Sequence, residues 1–212
     1  MLTASTESIP TVQRESDRPM TTGKNTCRLV IISGPAGAGK STIVRRLLRE
    51  CSMPLRLSVS ATTRARRPQE ADGIDYHFLT PQEFADRRAA GDFLECKEVF
   101  GRGDWYGTLK TEVEAGFASG QWVILEIDVE GAMAVLKSCP EAITIFLHTG
   151  SMAELERRLR GRGTETEAAI ERRLEVARHE LEYKSRYRHE VINHSVDQAV
   201  RDICQILVQS AK

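Results

Sequence analysis

The chain has 212 residues, enough for one sizeable α/β core with small lobes inserted in it. Lysine plus arginine and aspartate plus glutamate balance at 30 each, so net charge gives no reason to expect a nucleic acid or a membrane surface as partner. No apolar run is long enough to span a bilayer, and the five scattered cysteines, without a C-x-x-C, favour reduced thiols in the cytoplasm over a disulfide framework. The five histidines show no metal-ligand spacing.

Residues 1–26 are polar, rich in Thr and Ser, and lack the apolar stretch of a signal peptide, so they read as a disordered tail, with Met20 as an alternative start. A strand is expected at 28–32, followed directly by Gly34-Pro35-Ala36-Gly37-Ala38-Gly39-Lys40-Ser41-Thr42 and then a helical pattern to residue 51. Strand, G-x-x-x-x-G-K-S loop and helix in that order form a phosphate-binding unit. Glycines let successive backbone N–H groups point inward at a helix N-terminus, Lys40 reaches the β- and γ-phosphates, and the Ser41 hydroxyl can ligate Mg²⁺. The chain is therefore expected to bind a nucleoside triphosphate. The loop alone does not separate a kinase from a GTPase or an ATP-driven machine.

Beyond Pro54, apolar and polar residues alternate over 57–62 and again over 74–78, which predicts half-buried strands separated by a Pro/Gly/Asp loop. Thr80-Pro81-Gln82-Glu83 predicts a capped helix closed by Gly91, and 93–100 a further strand. A helix at 109–119, a buried strand at 122–127, a helix through 132–137 and a buried strand at 143–147 then indicate a parallel sheet covered on both faces. Ser151-Met152-Ala153-Glu154 and Thr164-Glu165-Thr166-Glu167 each have the form of a capping box, and Gly161-Arg162-Gly163 between them suggests two hinged helices. Ile170, Leu174, Ala177 and Leu181 make the apolar stripe of the second helix. A short strand at 191–192 and a helix over 197–209 finish the chain.

The segment between the first helix and residue 108 carries the polar residues of interest. Arg64 and Arg67 on a loop leaving a strand, with Tyr76 within reach, could hold a phosphate, since guanidinium forks match phosphate oxygens bidentately. A solvated basic loop is the plain alternative. Glu95 could accept the two donors on one edge of guanine, an arrangement adenine does not offer, although a lone strand glutamate is ordinarily an exposed surface residue. Glu126 and Asp128 end an apolar strand, where a phosphate-loop enzyme keeps its acidic magnesium organiser.

Taken in order, GPAGAGKST, SVSATTR with Arg67, GIDYHF, GDFLE, WYGT, LEIDVEG and ERRLRGRGTETE resemble guanylate kinase, and the resemblance covers the chain after its tail. It implies an α/β fold: a parallel sheet of the phosphate-loop NTPase type flanked by helices, with a strand-rich GMP-binding insert and a helical lid. The expected division is a tail at 1–26 and one domain at 27–212. Within that domain the core takes 27–56, 109–150 and 186–212, the insert 57–108 and the lid about 151–185.

The implied reaction is ATP + GMP ⇌ ADP + GDP, with ATP as co-substrate, Mg²⁺ as cofactor, and neither nucleic acid nor membrane as partner. Oligomeric state stays open. By position, Arg64, Arg67, Tyr76 and Tyr106 hold the GMP phosphate, Ser60, Glu95 and Thr108 contact guanine, and Asp128 lies near the ribose and, through water, the metal beside Ser41. Gly34 to Thr42 hold ATP, with Asn193 at its adenine. Lys40, Arg64, Arg158, Arg162 and Arg173 neutralise the transferring phosphoryl group, the last three on the lid.

Four departures stand out against that pattern. Arg66 replaces a common proline, the stretch 100–107 is about two residues longer than usual, and His148-Thr149-Gly150-Ser151 replaces paired prolines, which predicts a looser approach to the lid helix. His194 follows Asn193 where aspartate is usual. Two other readings share the fold: a binding module without catalysis, and a related sugar-phosphate kinase. The intact Lys40 and Ser41 count against the first, and Glu95, which a sugar phosphate would leave without a guanine edge, against the second.

Overall fold

The computed structural model describes residues 28–99, 103–161 and 166–211. Two sheets organise them. The first is parallel throughout, in the order β2-β7-β1-β8-β9, from strands β1 (Leu29–Ser33), β2 (Leu55–Leu57), β7 (Trp122–Glu126), β8 (Ile143–His148) and β9 (His189–Ile192). The second has the order β4-β3-β6-β5, from β3 (Ala61–Thr62), β4 (His77–Phe78), β5 (Phe93–Val99) and β6 (Asp104–Leu109), with β6 antiparallel to both of its neighbours.

The parallel sheet is buried on both faces, as its unbroken apolar strands require. Along β1 successive side chains part to opposite faces. Val30 and Ile32 join Ile43, Val44 and Leu47 of α1 (Lys40–Glu50) and Val200, Ile203 and Leu207 of α7 (Val196–Ser210). Leu29 and Ile31 join Val113 of α3 (Lys110–Ala118) and Val129, Ala132 and Val135 of α4 (Val129–Ser138). No helix among the described residues is long and apolar enough to cross a membrane.

The alternating stretch 57–62, expected as one strand, is split between the sheets. Leu57 pairs with Ile124 in the parallel sheet, and Ser58 N–H still donates to Ile124 O at 2.9 Å. By Ala61 the partner is Gly107 in the second sheet. Alternation reports which face a residue buries but not which sheet it belongs to.

The second sheet has a small core of its own. Phe84 from α2 (Pro81–Ala90) stacks on Phe93 at 4.4 Å between ring centroids, beside Ala61 and Leu109. The capping box at the start of α2 forms as expected: Glu83 N–H donates to the Thr80 hydroxyl at 3.2 Å, and Thr80 N–H to the Glu83 carboxylate at 2.7 Å.

The expected box at Ser151 does not close on its glutamate side. Ser151 caps α5 (Met152–Arg160), but the Glu154 carboxylate turns away to Arg157 and Arg158. The helix α6 (Glu167–Glu182) begins after Thr166, whose side chain makes no cap bond, and Glu167 is held instead by Arg160. Thr164 and Glu165 lie outside the described residues. At Glu154 two neighbouring arginines take the carboxylate that would otherwise return to the helix end. Leu155, Leu159, Ile170, Leu174 and Ala177 hold α5 and α6 together.

The turn out of β1 is the tightest point of the fold. Gly34 has φ +140°, and a Cβ there would lie 1.9 Å from the backbone oxygen of Leu147 on β8. Gly34→Ala should cost about 3 kcal/mol or more, because strained backbone and a clash with immovable main chain add. A urea midpoint equal to wild type would contradict this.

Candidate active site

At the C-terminal edge of the parallel sheet, the central strand β1 runs into the loop Gly34–Gly39 and then α1. Positive φ at Gly37 and Gly39 (+97° and +95°) shapes the turn. Lys40 folds back over it, its Nζ donating to Gly34 O at 2.5 Å and Pro35 O at 3.2 Å. Burial pushes the Lys40 ammonium below its ordinary range, while the carboxylates of Glu180, Glu126 and Asp128 pull it back up. The Ser41 hydroxyl donates to Glu126 at 2.6 Å. Thr42 is exposed on the first turn of α1. Asn193 is buried, donates its amide to Ala38 O at 2.7 Å, and leaves no room for a side chain on Gly39, where a Cβ would lie 2.6 Å from its Nδ2.

Between the two sheets lies a cleft of about 260 Å³, lined by Ser60, Tyr76, Glu95, Lys97 and Tyr106 on one side and the segment Glu126–Asp128 on the other. Glu95 accepts the Thr108 hydroxyl at 2.8 Å. Burial raises its carboxyl above the usual range, and Asp128 adds to the rise, although the Thr108 hydrogen bond opposes it. Tyr76 and Tyr106 meet edge to face at 5.8 Å. Arg64 donates to the Tyr106 hydroxyl at 3.1 Å, and its guanidinium lies over the Tyr76 ring at 5.5 Å. Both oxygens of Glu70 take its outer edge, at 2.8 and 3.0 Å. The Arg67 side chain is 73% exposed and its guanidinium reaches Glu70 only at 4.0 Å, while the Arg67 backbone N–H donates to Glu70 at 2.9 Å.

Asp128 has two jobs. One carboxylate oxygen caps α4, accepting Gly131 N–H at 2.9 Å, and the other pairs with Lys97 at 2.5 Å. Lys97 also binds Glu130 at 2.8 Å, so it ties β5 to the start of α4.

Among proteins of known sequence, the guanylate kinase family model matches residues 26–210. The chain belongs to the guanylate kinase family. A guanylate kinase of Rhodopirellula baltica is 60% identical over 186 residues, 87% of this chain and 89% of that protein. One from Fusobacterium nucleatum is 45% identical over 184 residues, 87% of this chain and 97% of that protein. The crystal structure of guanylate kinase from Anaplasma phagocytophilum superposes with a TM-score of 0.69 at 29% identity, covering 87% of this chain and 86% of that one.

Residues that the guanylate kinase pattern singles out divide into three groups. Ser60, Tyr76, Glu95, Tyr106 and Asp128 line one cleft, with Thr108 and Arg64 bonded to its walls. Arg158 and Asn193 meet elsewhere, on the phosphate-loop side: Arg158 donates to Asn193 O at 2.7 Å and to Glu154 at 2.7 Å. The Asn193 Nδ2 braces the loop backbone at Ala38, while its Oδ1 is buried without a hydrogen-bond partner. Arg173 is half-buried on α6, and Arg162 lies outside the described residues. Ser41 meets Glu126, and Asp128 holds Lys97 and the first turn of α4.

The approach to α5 is also firmer than its missing prolines suggested. His148 binds Glu190 at 2.8 Å and accepts Gly150 N–H at 3.1 Å, and the Thr149 hydroxyl donates to Ser151 O at 2.9 Å. Phe100, Gly101 and Arg102 of the lengthened loop lie outside the described residues. The loop's return is pinned where Gly103 N–H donates to Glu98 at 2.9 Å.

Glu70, Lys97 and Glu180 stand beside candidate-site residues, and motif reading passed over them. Glu70 stood in the sequence as part of a turn, and only its contact with Arg64 reveals it. Lys97 could have been found from period two, since it shares a strand face with Glu95.

The raised Glu95 carboxyl has a consequence for pH. On the expectation that Glu95 takes the guanine edge, only its ionised form accepts both donors, so GMP affinity should fall as pH drops through a value above the ordinary glutamate range. Calorimetry of GMP binding against pH checks this. The Glu95→Gln variant should bind weakly, without that titration.

Proposed function

We infer that this guanylate kinase family member transfers the γ-phosphoryl group of ATP to GMP, giving ADP and GDP. The carrying observation is the shared wall of two sites. The Glu126–Asp128 segment touches the phosphate loop through Ser41 and lines the cleft that holds Glu95. A phosphate-loop switch or motor has no need of a second nucleotide-sized cleft there.

In this reading the acceptor cleft takes GMP. Glu95 accepts the guanine N1–H and 2-amino donors, with Thr108 orienting its carboxylate and Ser60 on the adjoining wall. Arg64, Tyr76 and Tyr106 form a donor cluster for the GMP phosphate, with Arg67 on the exposed side of the same loop. Adenine would turn a lone pair toward the Glu95 charge, which is the basis of selection. Once oriented, the GMP phosphate oxygen is an anionic nucleophile and needs no general base. The chain's remaining task is alignment and charge neutralisation.

The phosphate loop presents its N–H groups and Lys40 to the ATP phosphates, and Arg158 and Arg173 lie on the α5–α6 side to neutralise charge and exclude water, a task the resemblance also gives to Arg162. Mg²⁺ fits the donor set at the loop. The Ser41 hydroxyl and Glu126 carboxylate are hard oxygen ligands 2.6 Å apart, and among the described residues no cluster of three or more His, Cys, Asp or Glu side chains could hold a metal. That suits an ion which keeps waters and substrate phosphates as most of its shell, and when bound it would offset charge on the β- and γ-oxygens.

A coupled ADP-release assay over GMP, AMP, CMP and UMP tests the reading. GMP should be preferred over AMP by about 10⁴-fold or more in kcat/KM, the scale on which a mismatched hydrogen-bond edge discriminates. Comparable turnover of AMP would refute it. In the same assay Lys40→Ala should lower kcat by about 10²-fold or more with an unchanged melting temperature. Near-normal turnover would remove Lys40 from the mechanism.

A further inference from the structure

Glu154 stands where a capping glutamate ordinarily reaches back to the helix end, and it does not reach back. Ser151 alone caps α5, while the Glu154 carboxylate holds two arginines of the same helix. Those two partners differ. Arg157 is 74% exposed and meets Glu154 at 2.8 Å through both Nε and Nη2, an ordinary surface pair within one helix. Arg158 is only 25% exposed and gives Glu154 its Nε–H at 2.7 Å.

The Arg158 guanidinium is also held from a second side. Its Nη2 donates to the backbone oxygen of Asn193 at 2.7 Å. Asn193 is itself fixed, because it is buried, its backbone N–H donates to His148 O at 2.7 Å, and its Nδ2 donates to Ala38 O of the phosphate loop at 2.7 Å. Arg158 is thus tied to the loop backbone through one rigid residue. The helix that carries it rests on the same loop, since a Cβ on Gly37 would come within 2.9 Å of Leu159 and 3.2 Å of Leu155. A guanidinium has five N–H donors, and Glu154 and Asn193 engage two of them. Among the described residues no acceptor takes Nη1 of Arg158. A long side chain held in this way can meet an anion without first losing its rotamer freedom.

We propose that Glu154 is a positioning residue for phosphoryl transfer: together with the Asn193 carbonyl it fixes the Arg158 guanidinium beside the phosphate loop, with its remaining N–H groups kept for the charge that develops on the transferring phosphoryl group. This rests on the donor-site reading above and deepens it by naming what orients Arg158. Arg157, bound to the same carboxylate, has no part in the reaction. Glu154 acts only through Arg158, so its removal should matter only while Arg158 is present.

A double-mutant cycle tests that dependence. Arg158→Ala should lower kcat about 10²-fold, the effect of losing one preorganised donor. Glu154→Ala should lower kcat about fivefold to tenfold with both KM values within about twofold, because orientation of Arg158 counts where charge develops. The double variant should match Arg158→Ala within about twofold. Arg157→Ala should keep kcat within about twofold of wild type, and it and Glu154→Ala should keep the wild-type melting temperature. A readout independent of activity is the NMR signal of the Arg158 Nε–H, assigned by its absence from Arg158→Ala. Without nucleotide it should exchange slowly with water in the wild-type chain and fast in Glu154→Ala.

The proposal is overturned by wild-type kcat in Glu154→Ala, by an equal further loss when Glu154→Ala is added to Arg158→Ala, by Arg157→Ala losing as much as Glu154→Ala, or by fast exchange of the Arg158 Nε–H in the wild-type chain. Wild-type kcat in Arg158→Ala would overturn the donor-site role of Arg158 and the proposal with it. A full loss in Arg158→Ala with none in Glu154→Ala overturns the proposal alone.

Discussion

The absence of space at the end of β1 governs the rest of the structure. Gly34 presses against the Leu147 carbonyl, so β8 must lie beside β1 at that height, and the chain can leave the strand only by the glycine turn. Parallel register then sets the neighbours. Ile32 is opposite Glu126 on β7, Ser33 is opposite Phe146 on β8, and His148 is opposite Ile192 on β9. Residues that follow these positions, Asp128, Ser151 and Asn193, are thereby delivered to one edge. This is how an open parallel sheet makes a site at the point where its connections diverge.

Charge is arranged around that edge with little slack. Both proposed substrates are polyanions, yet Glu95, Glu126 and Asp128 all line the cleft. Such a site can admit phosphates only if each carboxylate is already engaged. Glu126 accepts the Ser41 hydroxyl, Asp128 holds Lys97 and the first turn of α4, and Glu95 takes the Thr108 hydroxyl. Glu70 does the same work for Arg64 outside the cleft wall. Each pairing also fixes a rotamer, so the acidic residues serve as braces for groups that face the nucleotides. A chain with equal numbers of acidic and basic residues conceals this local order completely.

What the sequence made legible was local or periodic. The apolar runs of β1, β7 and β8 marked a sheet buried on both faces, the G-x-x-x-x-G-K-S spacing marked the loop, and Thr80 to Gly91 announced both ends of α2. What stayed hidden depended on tertiary pairing. The break between Leu57 and Ala61 is a change of sheet, invisible to alternation. The box at Ser151 failed on its glutamate side because Arg157 and Arg158 claim Glu154, and Arg160 takes Glu167 at the start of α6. Asp128 and Glu126 are two residues apart on the same strand end, and no spacing rule could say which would face Ser41. Motif resemblance located the cleft residues one by one, but not the lysine and glutamates that hold them.

The short segment Glu126-Ile127-Asp128 explains how two substrates can be held at a fixed separation. At one end Glu126 meets Ser41 and the phosphate loop; at the other Asp128 meets Lys97 of β5 and begins α4. The second sheet could swing as a lobe on its two chain crossings. Its edge strand β5 is nevertheless anchored at its bulge by Leu94, packed against the main core, and beyond it by Lys97 on the acidic start of α4. Three residues of one strand end thus touch the donor loop, the acceptor sheet and the helix between them. In-line phosphoryl transfer demands close alignment of attacking and leaving oxygens. In this chain the rigid spacing falls to the end of β7.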